Sequence, residues 1–115
     1  MFINDLNRIK HMIEAATEAL EFMKDVTYDS LPQDRKTLQA VTRSIEIIGE
    51  AAAKLSKEFI NDHPEISWKD IVSMRNWLVH AYFDIDYDHI WNTVHQDLPV
   101  LLPLLQNILK SDENK

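Results

Sequence analysis

Apolar residues recur at helical spacing through most of this chain. In the first segment the spacing alternates between three and four residues, from Leu6 to Met23. This period places the apolar side chains on one stripe of an α-helix over about residues 5–24. Asn4 or Asp5 is suited to cap its N-terminus, because both side chains can accept a hydrogen bond from the first turn.

A second stripe of the same period runs from Leu38 to Phe59. It predicts one long helix over about residues 34–59, with Asp34 as the N-cap. At ~1.5 Å per residue, such a helix would be about 39 Å long. A compact domain of this size has a radius of gyration near ~13 Å. The helix length therefore favours a partner that covers part of the stripe, most simply a second copy of the chain.

The rest of the chain continues the helical pattern. Further helices are predicted over about residues 68–81, 87–96 and 98–109, with a loop at 25–33, an acidic turn at 83–88 and a frayed tail at 111–115. No segment alternates apolar and polar residues as a half-buried strand would. The sequence thus predicts a single all-α domain over residues 1–115, a small up-and-down bundle of four to five helices.

Composition removes several classes of function. The 115 residues include one glycine, Gly49, and no cysteine. Phosphate-cradling loops need several glycines, and thiolate zinc sites and disulfides need cysteine, so these are excluded. No apolar run approaches the ~20 residues of a membrane span, and the first residues lack signal-peptide features. The sequence predicts a cytoplasmic protein with no membrane partner and no cofactor.

The densest group of polar, chemically active residues lies at the end of the third predicted helix. Arg75 and His80 are five residues apart, about 140° around a helix axis, so they can flank one cleft. Asn76 lies one turn before His80 and can orient the imidazole. Arginine suits phosphate binding, and histidine transfers protons near neutral pH, which are the requirements of metal-free phosphodiester cleavage. A surface ion pair and a histidine favoured by the helix dipole would produce the same spacing.

A longer pattern supports the first of these interpretations. Arg75, His80 and Tyr82 resemble the RX4HXY motif of HepT-like proteins, a branch of the HEPN superfamily. The similarity extends in order over about residues 40–98, through the segments at 47–51, 54–55, 63–68 and 74–82 and Trp91. The motif itself shows no departure from the family pattern.

The resemblance implies a fold and a function. It implies an all-α HEPN-like bundle that forms a homodimer, with the two motifs facing each other in a composite site. It implies a metal-independent ribonuclease that acts as the toxin of a type VII-like toxin–antitoxin pair. The catalytic residues would be Arg75, His80 and Asn76, and the substrate RNA. The antitoxin would be a minimal nucleotidyltransferase that can neutralise the toxin by transferring AMP to the motif tyrosine, here Tyr82.

Two other polar groups have alternative explanations. Glu50 and Lys54 match an acidic-x3-basic pair found on a helix in parts of the HEPN superfamily, which makes them candidate supporting residues. The same i, i+4 spacing also fits a solvent-facing ion pair. Asp84, Asp86 and Asp88 resemble the start of a calcium loop, but the glycine and glutamate that such a loop needs are absent, so no metal site is predicted.

The formal charge of −7 is an objection to an RNA-binding function. It is met only if the charge is uneven, with Lys54, Arg43 or Arg35 near Arg75. Two alternatives therefore stay open. One is a non-catalytic nucleotide- or partner-binding subunit of a minimal nucleotidyltransferase, and the other is a plain helical dimerisation protein.

Overall fold

A computed structural model describes the backbone of residues 3–80 and 86–113, and the side chains of residues 4–74 and 86–112. The described chain contains helices and turns and no strand. Its α-helices are α1 (Ile3–Phe22), α2 (Arg35–Ala53), α3 (Lys57–Asp62), α4 (Trp68–His80), α5 (Tyr87–Asn92) and α6 (Leu98–Glu113). The predicted all-α class is confirmed.

Helix α1 begins earlier than the apolar stripe indicates. Because it starts at Ile3, Asn4 and Asp5 lie inside its first turn, so the prediction that one of them is the N-cap is wrong. Asp5 is instead buried, with 5% of its surface exposed. Its carboxylate accepts hydrogen bonds from the Ser56 N–H at 2.8 Å and the Ser56 hydroxyl at 2.7 Å. These bonds tie the start of α1 to the segment that follows α2.

The long second helix of the sequence analysis is divided in two. Asp34 caps α2 as predicted, and its side chain accepts a hydrogen bond from the Thr37 N–H. The helix ends at Ala53, however, and Ser56 caps α3 by accepting from the Phe59 N–H at 3.2 Å. The 19 residues of α2 span about 29 Å, within the 46 Å long axis of the described chain. The argument for a second copy from helix length is therefore wrong.

Helix α4 carries the motif of interest and agrees with its predicted bounds. Its first residue, Trp68, is buried, and the indole N–H donates to the His63 carbonyl at 2.9 Å. The Trp68 ring also packs edge-on against Phe59 of α3, with ring centroids 6.2 Å apart. The start of α4 is thus anchored on the preceding helix and turn.

The last two predicted helices form one continuous helical run. A π-helical turn, Thr93–Asp97, joins α5 to α6, and Leu98 has helical dihedral angles. Pro99 lacks the N–H that would bond the His95 carbonyl in an α-helix, which gives a physical reason for the wider turn. The predicted break between the helices at 87–96 and 98–109 is therefore absent. Helix α6 reaches Glu113, beyond the apolar pattern that ends at Leu109.

The core lies where α1, α2, α4 and α6 meet. Helix α1 packs against α2 and α6, and α2 also packs against α4. Gly49, the sole glycine, is buried in α2, where the missing side chain allows close helix approach. Within the described residues, no helix has the length and apolar content needed to cross a lipid bilayer.

Candidate functional site

The last two turns of α4 carry three of the predicted site residues. Arg75, Asn76 and His80 all lie in this helix, Trp68–His80. The helical backbone places Arg75 and His80 about 7.5 Å apart along the axis and about 140° apart around it. Their side chains lie outside the described set, and Tyr82 lies outside the described residues altogether.

An open groove borders this part of α4. It has a volume of about 600 Å³ and runs between α4 and the continuous helix of α5 and α6. Met74, which immediately precedes Arg75, forms part of its wall, and Val100 of α6 lines it with 65% of its surface exposed. The lining is mixed: six residues are apolar, and eight are polar or charged, among them the carboxylates Glu65, Asp70 and Asp97. An open groove with exposed apolar side chains and a polar border is suited to contact with another protein surface.

A second groove, of a different character, lies between α1 and α2. We call it the α1–α2 groove; it has a volume of about 420 Å³ and is lined by Asn4, Asn7, Arg8, His11, Arg43, Ile47, Glu50, Ala51 and Lys54. Glu50 and Lys54, the candidate supporting residues, thus share one groove. No described residue of α4 lines it, although α4 packs against α2.

The ion pairs in the α1–α2 groove differ from the expected one. Arg43 Nη1 lies 3.1 Å from Glu46 Oε2 and 3.9 Å from Glu50 Oε1. Among the side chains of residues 4–74, Glu50 therefore pairs with Arg43 and not with Lys54. The exposed i, i+4 ion pair that offered a structural explanation for Glu50 and Lys54 does not form. Lys54 instead occupies the C-cap of α2, with its side chain lining the groove.

Polar side chains also gather at the start of α5. Asp86 caps this helix by accepting from the His89 N–H at 3.1 Å, and Tyr28 donates a hydrogen bond to Asp88. That bond is the main cause that raises the pKa of the Tyr28 phenol above its usual value, since the carboxylate favours the protonated phenol. The Tyr28 ring meets Trp91 edge-on at 5.6 Å. Within the described residues, no three His, Asp or Glu side chains are placed to hold a metal ion; Asp84 lies outside them.

Sequence reasoning missed Arg8 and His11 as groove residues. The signal was present: Asn4, Asn7, Arg8 and His11 follow one another at intervals of three, one and three residues, which is a polar stripe on one side of α1. That stripe was not informative alone, because most surface helices have a polar face. Only the packing of α1 beside α2 brings it next to Arg43 and Lys54.

Comparison with known proteins supplies independent information. A family model described as "Ribonuclease HepT-like" matches residues 12–108. The chain is 37% identical over 105 residues to a Thermococcus cleftensis protein named "Probable ribonuclease HepT", which covers 88% of this chain and 96% of that protein. It is 36% identical over 104 residues to a Methanocaldococcus jannaschii protein named as a "Putative RNase", covering 90% and 86%. A Caldanaerobacter subterraneus protein with the same description is 33% identical over 105 residues, covering 91% and 94%. No solved structure gives a significant match.

Proposed function

The chain belongs to the HepT-like ribonuclease family, and from this premise we propose that it cleaves RNA without a metal ion through Arg75 and His80 of α4. The observation that carries the proposal is the position of both residues in the last two turns of one helix, beside an open groove. Arg75 neutralises the charge that builds on the phosphate in the transition state. Asn76, one turn before His80, is the positioning residue for the imidazole.

The reaction follows from these groups. The ribose 2′-oxygen forms a bond to phosphorus while the bond from phosphorus to the 5′-oxygen breaks. One imidazole removes the 2′-hydroxyl proton, and the departing 5′-oxygen needs a proton in return. Each chain supplies one motif histidine, so a homodimer whose two motifs meet provides both a base and an acid. We propose that the dimer contact lies at the groove between α4 and α6, where Met74 and Val100 supply apolar surface.

The catalytic roles are tested by substitution. Arg75→Ala and His80→Ala should each reduce RNA cleavage by about 10²–10⁴-fold with unchanged helical content and unchanged association state. His95→Ala, at an exposed histidine of the π-helical turn, is the matched control and should keep full activity. Cleavage should persist in excess EDTA. Activity that is lost in EDTA and restored by added metal would contradict the metal-free reaction.

We further propose that the protein is the toxin of a pair whose antitoxin is a minimal nucleotidyltransferase. The Tyr82 phenolic oxygen would attack the α-phosphorus of ATP, releasing pyrophosphate and losing its proton. The attached AMP places a phosphate two residues beyond His80, where it can pair with Arg75 and exclude the RNA phosphate.

A mass measurement tests the modification. The cognate nucleotidyltransferase with ATP should add AMP to the wild type and to the control Tyr28→Phe, and none to Tyr82→Phe. Equal labelling of the wild type and Tyr82→Phe would exclude Tyr82 as the acceptor. If the wild type binds nucleotide or the nucleotidyltransferase but cleaves no RNA, the protein is a non-catalytic subunit instead.

A further inference from the structure

The α1–α2 groove concentrates positive charge on a chain that is acidic overall. Three of its lining residues are basic, Arg8, Arg43 and Lys54, and one, Glu50, is acidic; Glu46, which pairs with Arg43, lies outside the lining. The whole chain has 12 basic and 19 acidic residues. An excess of cations in one concave site of an acidic protein creates a local potential that attracts a negatively charged ligand.

The geometry of Arg43 leaves it able to bind such a ligand. Both of its carboxylate contacts, to Glu46 and to Glu50, involve the Nη1 atom. A guanidinium has five N–H donors, so those on Nη2 and Nε have no ion-pair partner among the described side chains. The side chain is 62% exposed. Arg43 is therefore oriented by its acidic neighbours while part of its planar donor set stays open to solvent.

Helix α1 adds uncharged donors to the same groove. Asn4 and Asn7 belong to its first two turns, and His11 follows one turn later. The partial positive charge at the start of α1 lies opposite the partial negative charge at the C-terminal end of α2, which Lys54 caps, so the net positive charge of the groove comes from its side chains. The amides and the cations together match an oxygen-rich anion with several acceptors, such as a phosphodiester.

We propose that the α1–α2 groove binds backbone phosphates of the RNA substrate through Arg8, Arg43 and Lys54, outside the cleavage motif. This proposal rests on the ribonuclease function proposed above. Helix α2 contributes one wall of the groove and also packs against α4, so the groove and the helix that carries the motif are connected through α2. Phosphate contacts fix the register of a strand without reading its sequence. Glu50 weakens binding by repelling the phosphate.

The test measures binding apart from cleavage. In the His80→Ala background, a fluorescent single-stranded RNA oligonucleotide is titrated at several KCl concentrations and followed by anisotropy. Each groove cation replaced by alanine should weaken binding about three- to tenfold and reduce the slope of log affinity against log salt by about 0.7. The triple variant of Arg8, Arg43 and Lys54 should lose about 2 from that slope. Circular dichroism checks that each variant is folded.

Matched controls separate a local site from net charge. Lys24→Ala removes one charge from the turn after α1, and Lys36→Ala removes one from the first turn of α2; both residues are exposed and outside the groove. Both controls should leave the affinity within about twofold, because the helical rise places each at least about 10 Å along the chain from the nearest groove residue, beyond a Debye length of ~8 Å at physiological salt. Glu50→Gln should act in the opposite direction and tighten binding.

The outcomes distinguish the groove from the enzyme activity. If the wild type cleaves RNA but the triple variant keeps the affinity and salt slope of its parent, the groove proposal is wrong and the ribonuclease proposal stands. If the groove variants lose RNA binding while the wild type cleaves no RNA, the groove proposal stands without the catalytic one. If the substitutions impair only binding of the nucleotidyltransferase, the groove serves a protein partner and the proposal is overturned.

Discussion

The hydrogen-bonded link between Asp5 and Ser56 should be a main determinant of stability at the α1–α2 groove. Asp5 is buried in the first turn of α1, and both of its carboxylate oxygens accept bonds from Ser56, 51 residues later. Ser56 in turn caps α3 through the Phe59 N–H. Replacing Asp5 with alanine therefore removes a contact between α1 and the α2–α3 junction, and it disturbs the α3 cap.

The size of the effect follows from these contacts. A hydrogen bond to a charged group contributes about 1.5–3 kcal/mol, so two such bonds give a gross loss of about 3–6 kcal/mol. The substitution also removes the cost of burying the carboxylate, and water can reach the exposed Ser56 side chain. We therefore expect Asp5→Ala to lower the free energy of unfolding by about 2–3 kcal/mol. Asp5→Asn keeps an acceptor for the Ser56 N–H and should lose about half as much.

Urea unfolding measures this change in the free energy of unfolding. The protein concentration is kept the same for all variants, because association shifts the apparent stability. Asp25→Ala, at an exposed loop carboxylate, is the control and should change the free energy by less than about 0.5 kcal/mol. A double-mutant cycle with Ser56→Ala should give a coupling energy of at least about 1 kcal/mol. An unchanged midpoint for Asp5→Ala, or additive single effects in the cycle, would refute the reasoning.

Three further results are expected. Hydrogen bonds from Thr37 hold the pKa of Asp34 below its usual value. The contribution of the Asp34 carboxylate to the free energy of unfolding is therefore present above about pH 4 and is lost as the pH falls through the lowered pKa. Thermal melts of Asp34→Asn and wild type should differ at pH 7 and converge at low pH. Because the pKa of Tyr28 is raised, its hydrogen bond to Asp88 stabilises the fold below about pH 10 and is lost as the pH rises through the raised pKa. Ultraviolet titration of Asp88→Asn should show a tyrosine that ionises at lower pH than in wild type. Val100→Glu should dissociate the proposed homodimer, so that sedimentation gives a 13.5 kDa monomer with unchanged helical content. A wild type that is already monomeric at micromolar concentration would rule out the proposed dimer contact.

Local patterns in the chain were sufficient for much of the fold. The apolar stripes predicted helices in nearly the right places, and Asp34 acts as the cap that its position before Arg35 indicates. Helix α4 begins at Trp68, where its period predicts, and is helical through the described residues to His80. These features depend on helix period and on capping by neighbouring residues, which act over fewer than five positions.

At two junctions the helix bounds differ from those that the local pattern predicts, because a tertiary contact or the missing N–H of a proline sets them. Leu55 and Phe59 continue the stripe of α2 in register, yet the helix ends at Ala53. The Ser56 N–H donates to the Asp5 carboxylate instead of to a carbonyl of the preceding helical turn. Asp5 lies in α1, 51 residues earlier in the chain, so the local pattern does not reveal this contact. At the other junction, the sequence predicts separate helices over about residues 87–96 and 98–109, but a π-helical turn joins α5 to α6 without a break.

The candidate sites divide in the same way. The candidate motif of Arg75, His80 and Tyr82 could be predicted from the sequence alone, because those residues lie within eight positions of one another and their spacing is fixed along the chain. Only the tertiary structure decided that Arg8 and His11 of α1 face the same groove as Arg43 and Lys54 of α2. Each helix shows its own polar face in the sequence, but which faces meet depends on how the buried stripes of α1 and α2 pack, and that is a property of the whole core.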